Sequence, residues 1–223
     1  MAKDMTLFWG SGSPPCWRVQ IALEEKKLQG YNSHLLRFDK MEHKSQKVLD
    51  VNPRGQLPTF KHGDRILNES YAACLYLEDQ FKDQGTKLIP ECPAERAKMY
   101  QRMFEGIPLG QKLGDVIYYE WKVPEAERHD SAVTRNRQIL SDEIKLWEKY
   151  MHAGPGPFLA GKTFSMADVL VFPGIAYAFH YGLCPKSYPY LAEYYNHLKA
   201  RKSIKDTWPS TWEEGKESKL KGI

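Results

Sequence analysis

Cysteine is scarce in this sequence, and the few cysteines show no paired spacing. The 223 residues include four, and no two of them are separated by the short intervals typical of zinc sites and compact disulfide frameworks. This pattern disfavours a metal site and a disulfide-stapled scaffold, so we assign no metal ligands. Isolated thiols are typical of a reducing compartment. The four positions are Cys16, Cys74, Cys92 and Cys184.

Long apolar runs and a strong excess of one charge are also missing. No segment approaches the roughly 18 uninterrupted apolar residues of a membrane-spanning helix, and the first residues lack the apolar core of a signal peptide. The net charge is only +4, and apart from the basic tail 216–223 it is spread along the chain. Such a balance does not support nucleic-acid binding. We therefore expect a cytoplasmic protein that binds neither nucleic acid nor membranes.

The two halves of the chain have different patterns. Short apolar runs first alternate with helical stretches, in the order β-α-β-α-β-β-α, and later only helical spacing remains. Alternation of this kind is typical of a small α/β sheet domain. The expected helices of this domain cover about 16–28, 43–51 and 69–82, and a hairpin turn falls at His62-Gly63-Asp64. We predict an α/β domain over 1–82, a linker over 83–93 and an all-α domain over 94–223.

The loop after the first expected strand contains half of a redox motif. Ser13 and Cys16 have the spacing of a Cys-x-x-Cys pair, but the first position is a serine. A thiol–disulfide enzyme needs a second sulfur to resolve the mixed disulfide formed by the first. Either serine of this loop, Ser11 or Ser13, could simply cap the following helix. Cys16 is either a reactive thiol or a small buried apolar residue.

Two further stretches have the composition of a ligand site. Leu57 and Pro58 open an extended run, and a cis bond between them would let Leu57 offer its backbone to an extended peptide ligand. Glu69 and Ser70 fall in the first turn of an expected helix, whose free N–H groups attract anions such as a carboxylate. The alternative is that Ser70 or the preceding Asn68 only caps that helix.

Taken in order, these motifs resemble those of cytosolic glutathione S-transferases. The resemblance rests on the Ser-x-x-Cys loop, Glu-His-Lys-Ser at 42–45, Asn-Pro-Arg-Gly-Gln-Leu-Pro at 52–58, Asn-Glu-Ser at 68–70 and Ala-Gly-Lys-Thr-Phe-Ser-Met-Ala-Asp at 160–168. It covers essentially the whole chain. It implies an α/β thioredoxin-like N-terminal domain followed by an all-α C-terminal domain. Within the family, the sequence looks most like the serine-type rho class, with theta-like and zeta-like features.

The resemblance implies a glutathione site in the first domain. It places Ser13 at the catalytic position, where a hydroxyl favours the thiolate of bound glutathione, with Ser11 and then Cys16 as alternatives. Arg18 is expected to form an ion pair at a helix end or between domains. The residues that the resemblance assigns to glutathione binding are His43, Lys44, Gln56, Leu57, Pro58, Glu69 and Ser70.

In the helical half, the resemblance implies a hydrophobic wall for the second substrate. Phe104, Ile107 and Gln111 share one helical face, and Trp208 in the tail is expected to close over the substrate. The alternative for such an aromatic stripe is an ordinary buried core. The serine and aspartate at 165 and 168 have the spacing of a capping box before a buried helix.

The implied function is transfer of glutathione to hydrophobic electrophiles, as in detoxification. The thiolate would add to the electrophile or displace a leaving group, with glutathione as co-substrate and no tightly bound cofactor. A homodimer is implied as well. Two alternatives stay open at this point: a glutathione-dependent thiol oxidoreductase that uses Cys16, and a non-catalytic binding scaffold.

Overall fold

Two units make up the part of the chain that the computed structural model describes, residues 2–212 and 218–223. The first unit contains residues 2–89 together with Arg201–Trp212. The second contains Pro90–Ala200 and residues 218–223. The segment Arg201–Trp212, which the sequence pattern assigns to the helical half, thus groups with the first unit.

A four-stranded mixed sheet in the order β2-β1-β3-β4 forms the centre of the first unit. Its strands are β1 Met5–Trp9, β2 Asn32–Leu35, β3 Thr59–His62 and β4 Arg65–Leu67. Strand β1 runs parallel to β2 and antiparallel to β3. Leu7 of β1 faces Phe60 of β3 across the ladder, and both are fully buried. Gly63, with φ of +57°, makes the hairpin turn from β3 to β4 where the sequence predicts it.

Three helices follow the strands in the thioredoxin-like order predicted from the sequence. They are α1 Pro14–Glu25, α2 Gln46–Leu49 and α3 Ser70–Gln80, and a short 3-10 turn, Glu42–Lys44, precedes α2. Helix α1 packs against α3, and it buries apolar side chains that include Val19, Ile21 and Leu23. The mixed sheet with its helices confirms the α/β prediction for this half.

The second unit is helical, as predicted. Its helices are α4 Pro93–Ile117, α5 Tyr119–Lys122, α6 Asp130–Ala153, α7 Met166–His180 and α8 Pro189–Lys199. Helix α7 is buried along almost its whole length and packs against α4 and α8. Leu140, Ile144 and Trp147 of α6 face this core at the spacing seen in the sequence. Within the described residues, every helix is too short or too polar to span a bilayer.

The last helix of the first unit, α9 Lys202–Asp206, packs against α1. Glu25, at the end of α1, accepts hydrogen bonds from Arg201 at 2.6 Å and from the hydroxyl of Ser203. Its neighbour Lys26 is fully buried and forms an ion pair with Glu78 of α3. The C-terminal end of α1 therefore holds both α3 and α9.

Candidate active site

Ser13 caps the N-terminus of α1. Its backbone is extended, with φ −88° and ψ 114°, and its Oγ accepts a long hydrogen bond of 3.5 Å from the N–H of Cys16. Pro14 and Pro15 occupy the first helical positions and carry no N–H, so Cys16 supplies the first amide donor of the helix. The half-buried hydroxyl thus lies at the positive end of a 12-residue helix, and a hydroxyl that accepts a hydrogen bond still carries a proton that it can donate.

Ser11, the alternative hydroxyl, is engaged by another segment. Its Oγ lies 3.1 Å from Oγ1 of Thr211 and 3.4 Å from Oγ of Ser210. These contacts engage the Ser11 hydroxyl with other residues of the first unit. The geometry therefore favours Ser13 over Ser11 as the hydroxyl that binds a ligand.

Cys16 has the surroundings of a structural thiol. The side chain is completely buried, and its Sγ accepts a hydrogen bond of 3.4 Å from the N–H of Gly10. Burial raises the pKa of the Cys16 thiol to about 11, because it outweighs the hydrogen bonds with Ser13 and Gly10. A thiol held protonated at neutral pH is a poor nucleophile, which disfavours the oxidoreductase alternative. In residues 2–212 and 218–223, no three His, Cys, Asp or Glu side chains group as metal ligands.

His43 lies in the 3-10 turn before α2 and is only 9% exposed. Its ring packs against Phe38, with the ring centroids 5.3 Å apart, and its buried Nδ1 has no hydrogen-bond partner within the described chain. Burial, with a smaller contribution from Lys44, lowers the pKa of His43, so the imidazole is neutral at pH 7. Lys44 is exposed, and its Nζ donates to the carbonyl of Arg54 at 3.0 Å.

A buried asparagine shapes the segment that leads into β3. Asn52 donates from Nδ2 to the carbonyl of Gln56 at 2.8 Å and to Oγ1 of Thr59 at 3.1 Å. Between these two acceptors the Leu57–Pro58 peptide bond is cis, and the side chain of Gln56 is exposed. The sequence analysis missed Asn52 as a supporting residue, although an asparagine before a proline, in front of a strand, is a local signal of such a turn.

Ser70 begins α3 and is joined to α1 by an arginine. The guanidinium of Arg18 donates to Oγ of Ser70 at 3.1 Å and lies over the ring of Tyr71, 4.9 Å from its centroid. Glu69 is exposed at the N-cap position, and its carbonyl accepts the N–H of Ala73 at 2.9 Å. The sequence analysis missed Arg18 as a site residue, because 52 positions separate it from Ser70 and no local pattern joins them.

One apolar cluster brings these segments together. Phe8, Cys16, Val48 and Leu57 are buried against one another, so the first turn of α1 lies beside the cis peptide bond. The Arg18 contact places the next turn of α1 beside the start of α3. The structure thus gathers the Ser13 loop, the segment around Leu57 and the start of α3 around the N-terminal half of one helix.

The residues predicted for the hydrophobic wall fall in two places. Phe104 and Ile107 of α4 are 58% and 41% exposed, and Gln111 on the same face is exposed as well, so this stripe is not a buried core. Trp208 lies in the first unit, where its ring packs edge-on against Trp17 with the centroids 5.2 Å apart.

Comparison with known protein families matches both halves of the chain to domains of the same family. The model of the glutathione S-transferase N-terminal domain matches residues 7–85, and that of the glutathione S-transferase C-terminal domain matches residues 109–207. Glutathione S-transferase A of Pleuronectes platessa is 69% identical over 214 residues, which cover 96% of this chain and 95% of that protein.

Solved structures agree with these matches. A glutathione S-transferase from the Antarctic clam Laternula elliptica is 38% identical, with 98% of this chain and 97% of that chain covered and a TM-score of 0.85. A glutathione transferase homologue from Sulfitobacter, solved with bound glutathione, is similar in fold with a TM-score of 0.79. It is 22% identical, with 92% of this chain and 97% of that chain covered.

Proposed function

Since the chain belongs to the glutathione S-transferase family and is a glutathione transferase, we propose that the Ser13 hydroxyl activates the thiol of bound glutathione. The observation that supports this proposal is the position of the Ser13 hydroxyl at the N-cap of α1. Ser11, the rival hydroxyl, is already paired with Thr211. Under this assignment the protein is a serine-type member, and we propose the rho class, which its motifs resemble most.

The chemistry requires little of the protein beyond a stabilised thiolate. A free thiol has a pKa near 8.5 and is mostly protonated at neutral pH, and each unit of lowering corresponds to about 1.4 kcal/mol of preferential thiolate stabilisation. The Ser13 hydroxyl donates a hydrogen bond to the sulfur, and the positive end of α1 adds to it. The thiol proton passes to solvent. The sulfur then forms a bond to the electrophilic carbon. Either a leaving group departs with its bonding electron pair, or a π bond of the electrophile opens and the resulting anion takes a proton from solvent.

We propose that the segments gathered around α1 bind the backbone of glutathione. His43 and Lys44, which share the 3-10 turn before α2, bind the glycyl carboxylate. Glu69 and Ser70 bind the γ-glutamyl end, and Arg18 holds the Ser70 hydroxyl and adds positive charge there. The cysteinyl part runs along the segment at the cis peptide bond, where its contacts are Gln56, Leu57 and Pro58.

The second substrate and the assembly belong to the same proposal. A hydrophobic electrophile contacts the exposed stripe of α4, which contains Phe104, Ile107 and Gln111. The role predicted for Trp208 stays a prediction. We keep a first domain over 1–82, a linker over 83–93 and a helical domain over 94–223 as a proposal, with residues Arg201–Trp212 packing in the first unit. The enzyme acts as a cytoplasmic homodimer without a tightly bound cofactor.

The assignment of Ser13 is tested by steady-state kinetics with glutathione and an activated aryl halide. We expect Ser13→Ala to lower kcat by about 10- to 100-fold, the range for one lost hydrogen bond to a charged group. Ser13→Thr keeps the hydroxyl and should retain more activity than Ser13→Ala. If Ser13→Ala keeps full kcat, the hydroxyl is not the activator and the assignment is wrong.

The role of His43 is tested by calorimetric titration with glutathione. We expect His43→Ala to raise the Kd by about tenfold, because it removes a donor to a carboxylate, without changing the pKa of the bound thiol. His129→Ala, at an exposed position before α6, is the matched control and should leave the Kd unchanged. Equal Kd values for His43→Ala and the wild type would remove His43 from the site.

A further inference from the structure

The C-terminal end of the first unit lies against the loop that carries Ser13. We call residues 207–212 the C-terminal clasp. Ser11 Oγ is 3.1 Å from Oγ1 of Thr211 and 3.4 Å from Oγ of Ser210, and Ser11 and Thr211 are 200 positions apart in the sequence. The serine two positions before Ser13 thus has its own partner in the clasp.

The clasp also lies directly against the backbone of Gly12. A Cβ at this position would be 2.9 Å from Oγ1 of Thr211 and 3.1 Å from Nε1 of Trp212. Gly12 has φ of +79°, a conformation that residues with a side chain rarely adopt. Conformation and space therefore both require glycine between the two serines.

On the other side of Ser13, the clasp holds the first turn of α1. Trp17 donates from Nε1 to Oγ1 of Thr207 at 2.7 Å, and its ring packs edge-on against Trp208 and Trp212, each at 5.2 Å between centroids. The backbone N–H of Trp17 in turn donates to the carbonyl of Ser13 at 3.0 Å. The clasp thus contacts the chain on both sides of Ser13.

We propose that Ser11 and Thr211 are positioning residues, and that the hydrogen bond between them fixes the Ser13 hydroxyl in the geometry that binds the glutathione sulfur. This inference rests on the proposed role of Ser13. A loop with glycine at positions 10 and 12 has high conformational freedom when nothing holds it. Misplacement of a catalytic group by about 1 Å can cost about 100-fold in rate. The clasp supplies the contacts that remove this freedom.

The test measures the pH profile of kcat, which reports the pKa of the glutathione thiol in the enzyme–substrate complex. Thr211→Val replaces the hydroxyl with a methyl group of similar size. We expect a raised pKa and a kcat at neutral pH that is lower by about two- to tenfold, the range for one neutral hydrogen bond. The KM for glutathione should change little, because Thr211 is not assigned to the glutathione site.

Three further variants isolate the hydrogen bond. Ser11→Ala should give at least the shift of Thr211→Val, because it also removes the contact with Oγ of Ser210. The double variant should be no worse than Ser11→Ala, because Ser11→Ala already lacks the bond to Thr211. Thr211→Ser should restore the wild-type profile. Thr163→Val makes the same chemical change at an exposed position of the second unit and is the matched control. The Tm of each variant shows whether it is folded.

The outcomes separate this inference from the proposed role of Ser13. Suppose that Ser13→Ala raises the pKa of the bound glutathione thiol but Thr211→Val keeps the wild-type profile. The proposed role of Ser13 is then retained, and the positioning inference is overturned. If Ser11→Ala raises the pKa while Thr211→Val does not, Ser11 does not act through its bond to Thr211, which also overturns the inference. If Ser13→Ala has no effect, both proposals fail together.

Discussion

At the residue scale, the four cysteines of this enzyme differ in reactivity because their surroundings differ. Cys16 and Cys74 are fully buried, and burial raises their pKa to about 11 and about 12. Cys92 is exposed at the start of α4. Cys184 is partly exposed, and hydrogen bonds from Ser187 and neighbouring backbone lower its pKa. The thiol in the Ser-x-x-Cys motif is therefore one of the least reactive.

This difference predicts the order of alkylation by iodoacetamide. At pH 7.5 the native enzyme should be modified at Cys92 and Cys184 while Cys16 and Cys74 stay unmodified, because only exposed thiols with accessible thiolate react. Peptide mapping by mass spectrometry gives the sites, and the urea-unfolded enzyme is the control in which all four react. Early modification of Cys16 together with loss of activity would revive the oxidoreductase alternative.

Local motifs reveal residue types well and distant partners poorly. Local motifs are enough to propose Ser13, His43 and Ser70, because the residues that form a helix cap or a short loop are neighbours in the sequence. Ser11 could not be separated from Ser13 in this way, because its partner Thr211 is 200 positions away. The contact of Arg18 with Ser70 could not be predicted for the same reason.

At the element scale, the start of α7 shows how a short motif fixes a buried helix. Ser165 and Asp168 form the predicted capping box, with Oδ2 of Asp168 accepting the N–H of Ser165 at 2.9 Å. Its Oδ1 accepts the N–H of Leu159 at 3.0 Å and the hydroxyl of Tyr194 at 3.2 Å. Burial nevertheless raises the pKa of Asp168 to about 6, although these hydrogen bonds oppose it.

The raised pKa predicts a pH-dependent contribution to stability. Because the folded-state pKa of about 6 lies above the usual 3.8, folded Asp168 binds a proton more tightly than the unfolded chain does. Its contribution to the free energy of unfolding is therefore largest below about pH 4 and is lost as the pH rises through 6. Relative to Asp168→Asn, the wild type should gain stability from pH 7 to pH 4 in urea unfolding.

The Asp168→Asn variant itself should also be less stable at pH 7. The asparagine amide offers one acceptor oxygen where the carboxylate offers two, so a buried donor is left unpaired at a cost of about 1–3 kcal/mol. Ser165→Ala, which removes only the cap hydroxyl, should cost about 1 kcal/mol. A wild-type-minus-variant difference that stays flat between pH 7 and pH 4 would mean that Asp168 titrates as it does in the unfolded chain.

Most elements could be predicted from periodicity, but their interruptions could not. The sequence pattern predicts one helix over residues 43–51, whereas the structure has a 3-10 turn, Glu42–Lys44, and the short helix Gln46–Leu49. Ser45 between them is extended, with ψ of 152°. The break accompanies the burial of His43 against Phe38, a tertiary contact that overrides local helix propensity. This departure falls at a residue of the proposed site.

At the scale of the whole molecule, the first unit is completed by residues from the far end of the chain. Glu25 accepts hydrogen bonds from Arg201 at 2.6 and 2.7 Å, and its backbone carbonyl accepts the N–H of Thr86 at 2.8 Å. Composition and periodicity could not predict this, because they assign residues after 93 to one helical half. The grouping requires contacts across 176 positions.

The ion pair predicts how acid affects the whole fold. Burial pushes the pKa of Glu25 upward, but the hydrogen bonds from Arg201 and Ser203 outweigh it and leave the pKa below 4.5. A depressed folded-state pKa stabilises the fold above the unfolded value and loses this contribution as the pH falls through the folded value. Glu25→Gln should lower the free energy of unfolding by about 3 kcal/mol at pH 7, as expected for a broken buried pair.

This destabilisation should shrink toward pH 3, as followed by urea unfolding over a pH series. Asp142→Asn, which breaks an exposed ion pair with Lys145, is the matched control and should change the unfolding midpoint little. Equal small effects of the two substitutions at pH 7 would show that the Glu25–Arg201 pair does not hold the C-terminal segment on α1.

The central claim is that Ser13 stabilises the thiolate of bound glutathione, and an ultraviolet difference titration tests it most directly. Thiolate absorbance is followed against pH for glutathione bound to the wild type and to Ser13→Ala. We predict that the thiol ionises well below its solution pKa near 8.5 in the wild type, and that this shift shrinks in Ser13→Ala. A bound thiol that titrates alike in both proteins would contradict the account.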